Sequence, residues 1–136
     1  MQRRTVILLV GLAAIAGAGF YAWSEYERKP KGAAELKVDE VLSATDLLAA
    51  YVADEAAADA RFASKVLEVS GTVEGSEVQG DKLNIFLSTG DPLQRIACEF
   101  DAASAPSLNA GDAARVRGIC AGYNLDVLLQ RCAIAP

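Results

Sequence analysis

Three cysteines, Cys98, Cys120 and Cys132, are the reactive side chains that stand out in this 136-residue chain, which contains no histidine. Without a CxxC pair or a histidine beside them, they match neither a zinc site nor a thioredoxin-like redox motif. A disulfide formed in an oxidising compartment suits them better, with three buried apolar thiols as the plainer alternative. Asp54, Glu55 and Asp59 form a second cluster, of the kind that paired-carboxylate or calcium chemistry would need. Their run lacks the turn glycine and the fuller oxygen set of a calcium loop, so a solvated helix end is the better account. Ser70, Thr72, Ser88 and Thr89 have no base to activate them, and the commonest general base is missing altogether. These residues predict a non-enzyme with no catalytic residue, no metal and no cofactor.

The elements that must position these side chains are set by alternation. In Arg61 to Val78, Leu67, Val69, Gly71 and Val73 share one face, and Glu68, Ser70, Thr72 and Glu74 share the other. That is a half-buried strand, with a glycine where it must coil tightly. Four more runs follow: 82–88 with Leu83, Ile85 and Leu87 inward, and 94–100 with Ile96, Cys98 and Phe100 inward. Then come 113–120, with Val116, Gly118 and Cys120 inward, and 125–134, which begins with Leu125, Val127 and Leu129 inward. In the last run the apolar phase slips to Cys132 and Ile134, which predicts a bulge near Gln130 and Arg131. Turn residues separate the runs, and Asp101 to Asp112 is a longer connection with Leu108 as a plug.

Ahead of the strands, Ser43 or Thr45 starts a helix that carries Leu47, Leu48, Tyr51 and Val52. Acidic residues disfavour its negative end, so it is expected to stop near Ala53, with a looser stretch to Ala60. Residues 24–42 are expected to be a juxtamembrane linker, and 43–136 the folded domain. The first four residues are assigned to the cytoplasm, and 5–23 to a transmembrane signal anchor. That segment, TVILLVGLAAIAGAGFYAW, is 19 residues without a charge. It is long enough to span the hydrocarbon at about 1.5 Å per residue. Arg3 and Arg4 precede it, and Phe20, Tyr21, Trp23 and Tyr26 cluster at its far end as an interfacial belt. Ala16-Gly17-Ala18 offers a cleavage site for a signal peptide, but the apolar run continues past it and favours an anchor.

Five strands, a long link after the third and a bracing helix predict a mainly β fold: a five-stranded OB-fold barrel behind a single transmembrane helix. The chain resembles the tRNA anticodon-domain-like OB-fold family of small exported or membrane-tethered bacterial proteins. The resemblance is carried by Ala60-Arg61-Phe62, Val69, Gly71, Val73, Cys98-Glu99-Phe100 and Gly111-Asp112. Gly118-Ile119-Cys120-Ala121-Gly122, Asp126-Val127, Leu129 and Cys132 complete it. Many members look like lipoproteins; this chain has a spanning segment in place of a lipid-bearing cysteine. In such a barrel the fifth strand lies between the third and fourth, which favours a Cys98–Cys132 disulfide with Cys120 free. Cys120–Cys132 is the rival. Analogy with the fold's usual face, across its second and third strands, nominates Phe86, Arg95, Arg117, Tyr123 and Asn124 for ligand contact, with Lys82 and Asn84 beside them. Phe86 packed under the bracing helix is the competing account.

From Ala33 to Pro136, eight Lys or Arg face sixteen Asp or Glu, a net charge of −8. A surface of that sign repels phosphate backbones and anionic bilayers. The expected protein is a single-pass inner-membrane protein whose carboxyl-terminal domain lies in the periplasm or cell exterior. There it would serve as a binding or protein-interaction module for another envelope protein. A single-stranded nucleic-acid binder is the alternative.

Overall fold

An uncharged run must satisfy its backbone internally, and the run at the amino terminus does so as one helix, α1 (Gln2–Tyr26). Gln2–Glu25 is long and apolar enough to cross a membrane, and its large apolar side chains are exposed along its length. The structure, a computed structural model, describes residues 2–26 and 32–136. Arg28, Lys29, Pro30 and Lys31 of the expected linker lie outside the described residues. The chain divides into two compact units, Met1–Pro30 and Lys31–Pro136.

The second unit begins with a 3₁₀ turn, Ala33–Glu35, and then β1 (Glu40–Ser43), α2 (Ala44–Ala53) and α3 (Glu55–Phe62). The strands β2 (Val66–Gln79), β3 (Lys82–Ser88), β4 (Arg95–Asp101), β5 (Ala113–Asn124) and β6 (Asp126–Ile134) follow. β2 is the pivot. Val66–Thr72 runs antiparallel to β5, and from Val73 onward the strand pairs with β3 across an irregularity at Val73 and Gly75. β3 pairs with β4, β4 runs parallel to β6, and β6 returns antiparallel to β5. The five strands therefore close on themselves as an OB-type barrel, the fold that the alternation predicts. Its interior holds Leu67, Val69, Ile85, Leu87, Ile96, Cys98, Val116, Val127 and Leu129, each fully buried.

Two helices brace the barrel. Ser43 caps α2 by accepting from the Asp46 amide at 3.1 Å, and Leu47, Leu48 and Tyr51 are buried against the sheet. Val52 faces solvent instead. The stretch after Ala53 is a second helix and not a loose tail. Asp54 adopts an extended backbone and accepts from the Ala57 amide at 3.1 Å, so it caps the start of α3. Acids that would disfavour the end of one helix are thus at the positive start of the next. Gly71 gives α2 its close approach, since a Cβ there would lie 3.1 Å from Ala44 Cβ.

Residues assigned by composition to the linker also join this unit. Ala33 is fully buried, and β1 pairs in parallel with Leu67–Ser70 of β2. Asp39 fixes the entry, its amide donating to the Val66 carbonyl at 2.8 Å and its carboxylate accepting from the Val66 amide at 2.9 Å.

The expected bulge is present. Arg117 faces Ala133 but Ile119 faces Gln130, so β6 carries one extra residue, and Arg131 takes a φ of 53°. A second irregularity, between Cys120 and Gly122, carries β5 on to Asn124 and leaves Leu125 alone at the hairpin tip. Leu125 is therefore exposed, with a φ of 65°, and does not open the last strand inward. The bulge turns Cys132 onto Gly118. A Cβ at Gly118 would fall 2.7 Å from Cys132 Sγ and 2.8 Å from Leu129 Cβ. Gly118→Ala is expected to cost about 1–2 kcal/mol through this overpacking. A chemical melt shows it as a lower midpoint at unchanged slope; an unchanged midpoint would remove Gly118 from any packing role.

Candidate binding face

Side chains in the outward phase of β3, β4 and β6 form ordered rows across the barrel. Register places Gly75, Phe86, Ala97 and Leu128 in one row, of which Ala97 is buried and Phe86 and Leu128 half-buried. On one side of it lie Glu77, Asn84 and Glu99; on the other lie Ser88 and Arg95, with Asp126 bonded to the Arg95 amide. The Arg95 guanidinium sits 3.8 Å above the centroid of the Phe86 ring, and 3.7 Å from the Asp126 carboxylate. Arg95 therefore lies as a planar cover on an aromatic floor, with its charge partly offset. Phe86 faces outward and does not pack beneath a helix.

The five residues nominated by fold analogy are not one cluster. Phe86 and Arg95 are in direct contact. Tyr123 stacks on Tyr51 of α2 at 5.3 Å between centroids, and its hydroxyl accepts from the Gln94 side-chain amide. It is a brace between helix and barrel. Burial, with the neighbouring Cys120 and Asp59 second, pushes the Tyr51 hydroxyl far above its usual range. Asn124 is exposed at the rim, beside the hairpin tip. Arg117 lies on the other side of the barrel, in the β2–β5 pair. Its Nε is 3.1 Å from Glu68, while Arg115 Nε approaches the same carboxylate at 3.0 Å. Glu68 is 7% exposed and is held between the two guanidiniums.

Ala97 and Leu128 went unnoticed in the sequence, although an apolar residue in the outward phase of a strand is itself the signal. The carboxylates Asp54, Glu55 and Asp59 resolve into a helix cap, a first-turn acid and a partly buried side chain. Among the described residues no His, Cys, Asp or Glu cluster is suited to hold a metal ion. The three cysteines are free thiols, so the Cys98–Cys132 disulfide expected from the topology is not formed in this structure. The β4–β6 register explains the offset: Cys98 faces Leu129, three residues short of Cys132.

Comparison with known proteins agrees with this architecture. Residues 1–134 match the family described as tRNA_anti-like. No curated protein matches the chain. Among solved structures it is similar to a "putative nucleic acid-binding lipoprotein" from Klebsiella pneumoniae subsp. pneumoniae MGH 78578. The two are 14% identical with a TM-score of 0.58, over 70% of this chain and 91% of that one. At that identity the likeness establishes a shared fold and nothing finer.

Proposed function

This chain belongs to the tRNA_anti-like family, and on that premise we propose that it is a membrane-anchored, extracytoplasmic OB-fold module that binds another envelope protein. One observation carries the choice of partner: four of the five arginines between Ala33 and Pro136 are committed to carboxylates, Arg131 of β6 being the exception. Arg95 pairs with Asp126, Arg115 and Arg117 with Glu68, and Arg61 with Glu40. What the outer face offers instead is the apolar row through Phe86, Ala97 and Leu128. It is bordered by Glu77 and Glu99, which form no ion pair among the described residues. Neutral or cationic side chains of a protein suit that face, and a phosphate backbone does not. Arg3 and Arg4, in the first turn of α1 ahead of its uncharged run, support an orientation with the barrel outside the cytoplasm.

A photo-crosslinking residue in place of Asn84 should trap a second envelope protein in membranes, and one in place of Ser107, on the long β4–β5 connection, should not. Equal yields from both positions would end the assignment of the face. The name of the Klebsiella protein and the Phe86–Arg95 stack favour a second reading, a single-stranded nucleic-acid binder. We expect a labelled oligonucleotide at low salt to bind no tighter than a dissociation constant of about 100 µM. Micromolar binding that falls steeply with salt would replace the protein-binding reading with the second one.

A further inference from the structure

β2 outruns its partner on one side of the barrel. Its pairing with β5 ends at Thr72 and Ala113, and the Val73 amide and carbonyl are bonded to Asp112 and Gly111. From there to Gln79 the strand pairs with β3 alone. Only Gly80 and Asp81 make the turn into β3, and Gly80 takes a φ of 61°. In such a turn the closing pair, here Gln79 and Lys82, exchanges both backbone bonds. Alternation then directs Glu77 and Gly75 towards β3 as well, and points the amides and carbonyls of Ser76 and Val78 at the open edge. Neither residue makes a hydrogen bond outside that ladder among the described residues. Both side chains are exposed, and a Cβ on Gly75 would meet nothing within 4 Å.

We propose that this edge takes up an extended basic segment of the partner protein as an added strand, antiparallel to Glu74–Gln79; the inference rests on the protein-binding reading above. Unpaired amides and carbonyls supply the attachment, and side chains beside them supply the selection. Free edges are commonly guarded by lysine, proline or a covering loop. Here the guards are Glu74 and Glu77, neither in an ion pair among the described residues, with Glu99 in the same row as Glu77. They repel a second copy of the same edge and attract a basic strand. Gly75 does the rest. It ends the row that continues through Phe86, Ala97 and Leu128, so an apolar side chain opposite it reaches the Phe86 ring across the bare glycine. In an antiparallel strand the residue opposite Glu77 precedes the one opposite Gly75 by two. The segment recognised is therefore basic, any residue, apolar, with a second basic residue next to follow, opposite Glu74.

The test is amide hydrogen exchange on the full chain in detergent micelles, followed by NMR, with the capped peptide TVKTLKT as the probe. At saturating peptide the Ser76 and Val78 amides should exchange about tenfold more slowly or less, while those of Gly75 and Glu77, already bonded to β3, change little. The peptide TVETLET should bind more weakly by about tenfold or more. Ser76→Pro removes an outward N–H at an edge position where proline is tolerated, and should lose the slowing at Val78. Glu77→Lys, which leaves the edge intact, should reverse the preference between the two peptides. Unchanged exchange at Ser76 and Val78 with TVKTLKT, or equal slowing by TVETLET, would overturn the proposal. So would slowing that needs no peptide and grows with protein concentration, the mark of a second copy pairing there. A partner trapped from Asn84 in membranes alongside any of these results would keep the protein-binding reading and discard strand addition alone.

Discussion

Phe62→Ala should lower the stability of the barrel unit by about 3–5 kcal/mol, the range for deleting a fully buried ring that neighbours cannot refill. Phe62 is fully buried at the end of α3, with its ring 6.0 Å from that of Tyr51 on α2. Tyr51 in turn stacks on Tyr123 of β5, so three rings run from α3 through α2 to the strand. Removing the first member opens a cavity that the second borders, and it also leaves Arg61 without the ring it covers at 4.6 Å. For a unit of this size the loss corresponds to a fall in Tm of more than about 10 °C, which a circular-dichroism melt measures. A shift of only a degree or two would mean that α3 is not a brace, and that the barrel stands without it.

Phe62 is an isolated aromatic after an alanine-rich stretch, a position with few uses besides anchoring a helix. The strands were visible for a firmer reason: side chains alternate at period two, and a closed barrel buries one phase along its whole length. Even the bulge at Arg131 showed as a change of phase, since an extra residue moves every later side chain to the other face. Pairings between distant short segments left no such trace. β1 has only four residues, and its contact with Leu67–Ser70 is a non-local choice that Asp39 locks by two bonds to Val66. Asp54 misled for a related reason. An acid at a helix end is unfavourable for one helix and favourable for the next, and the sequence does not say where the boundary falls. The face was half legible: Phe86 and Arg95 stand on neighbouring strands in the same phase, whereas Tyr123 needed the helix in place to show which way it turned.

Glu68→Ala should cost about 3 kcal/mol, the low end for breaking a buried ion pair, because it strands two guanidiniums at once. Arg117, with its side chain 22% exposed, bears most of the loss; Arg115, at 55%, recovers solvent easily. Stability is the smaller part of what this variant tests. Glu68 holds in place two arginines that alternate along one strand, Arg115 and Arg117 of β5. If internal pairing is what denies the barrel a phosphate-binding surface, Glu68→Gln, which keeps the shape and removes the charge, should free that pair. Oligonucleotide binding should then become detectable at low salt, with a slope against log salt of about −1.4 for two released cations. A parent protein that already binds oligonucleotide, with Glu68→Gln leaving both affinity and slope unchanged, would show that charge pairing does not set partner choice. The Phe86–Arg95 stack would then become the first place to look for a base.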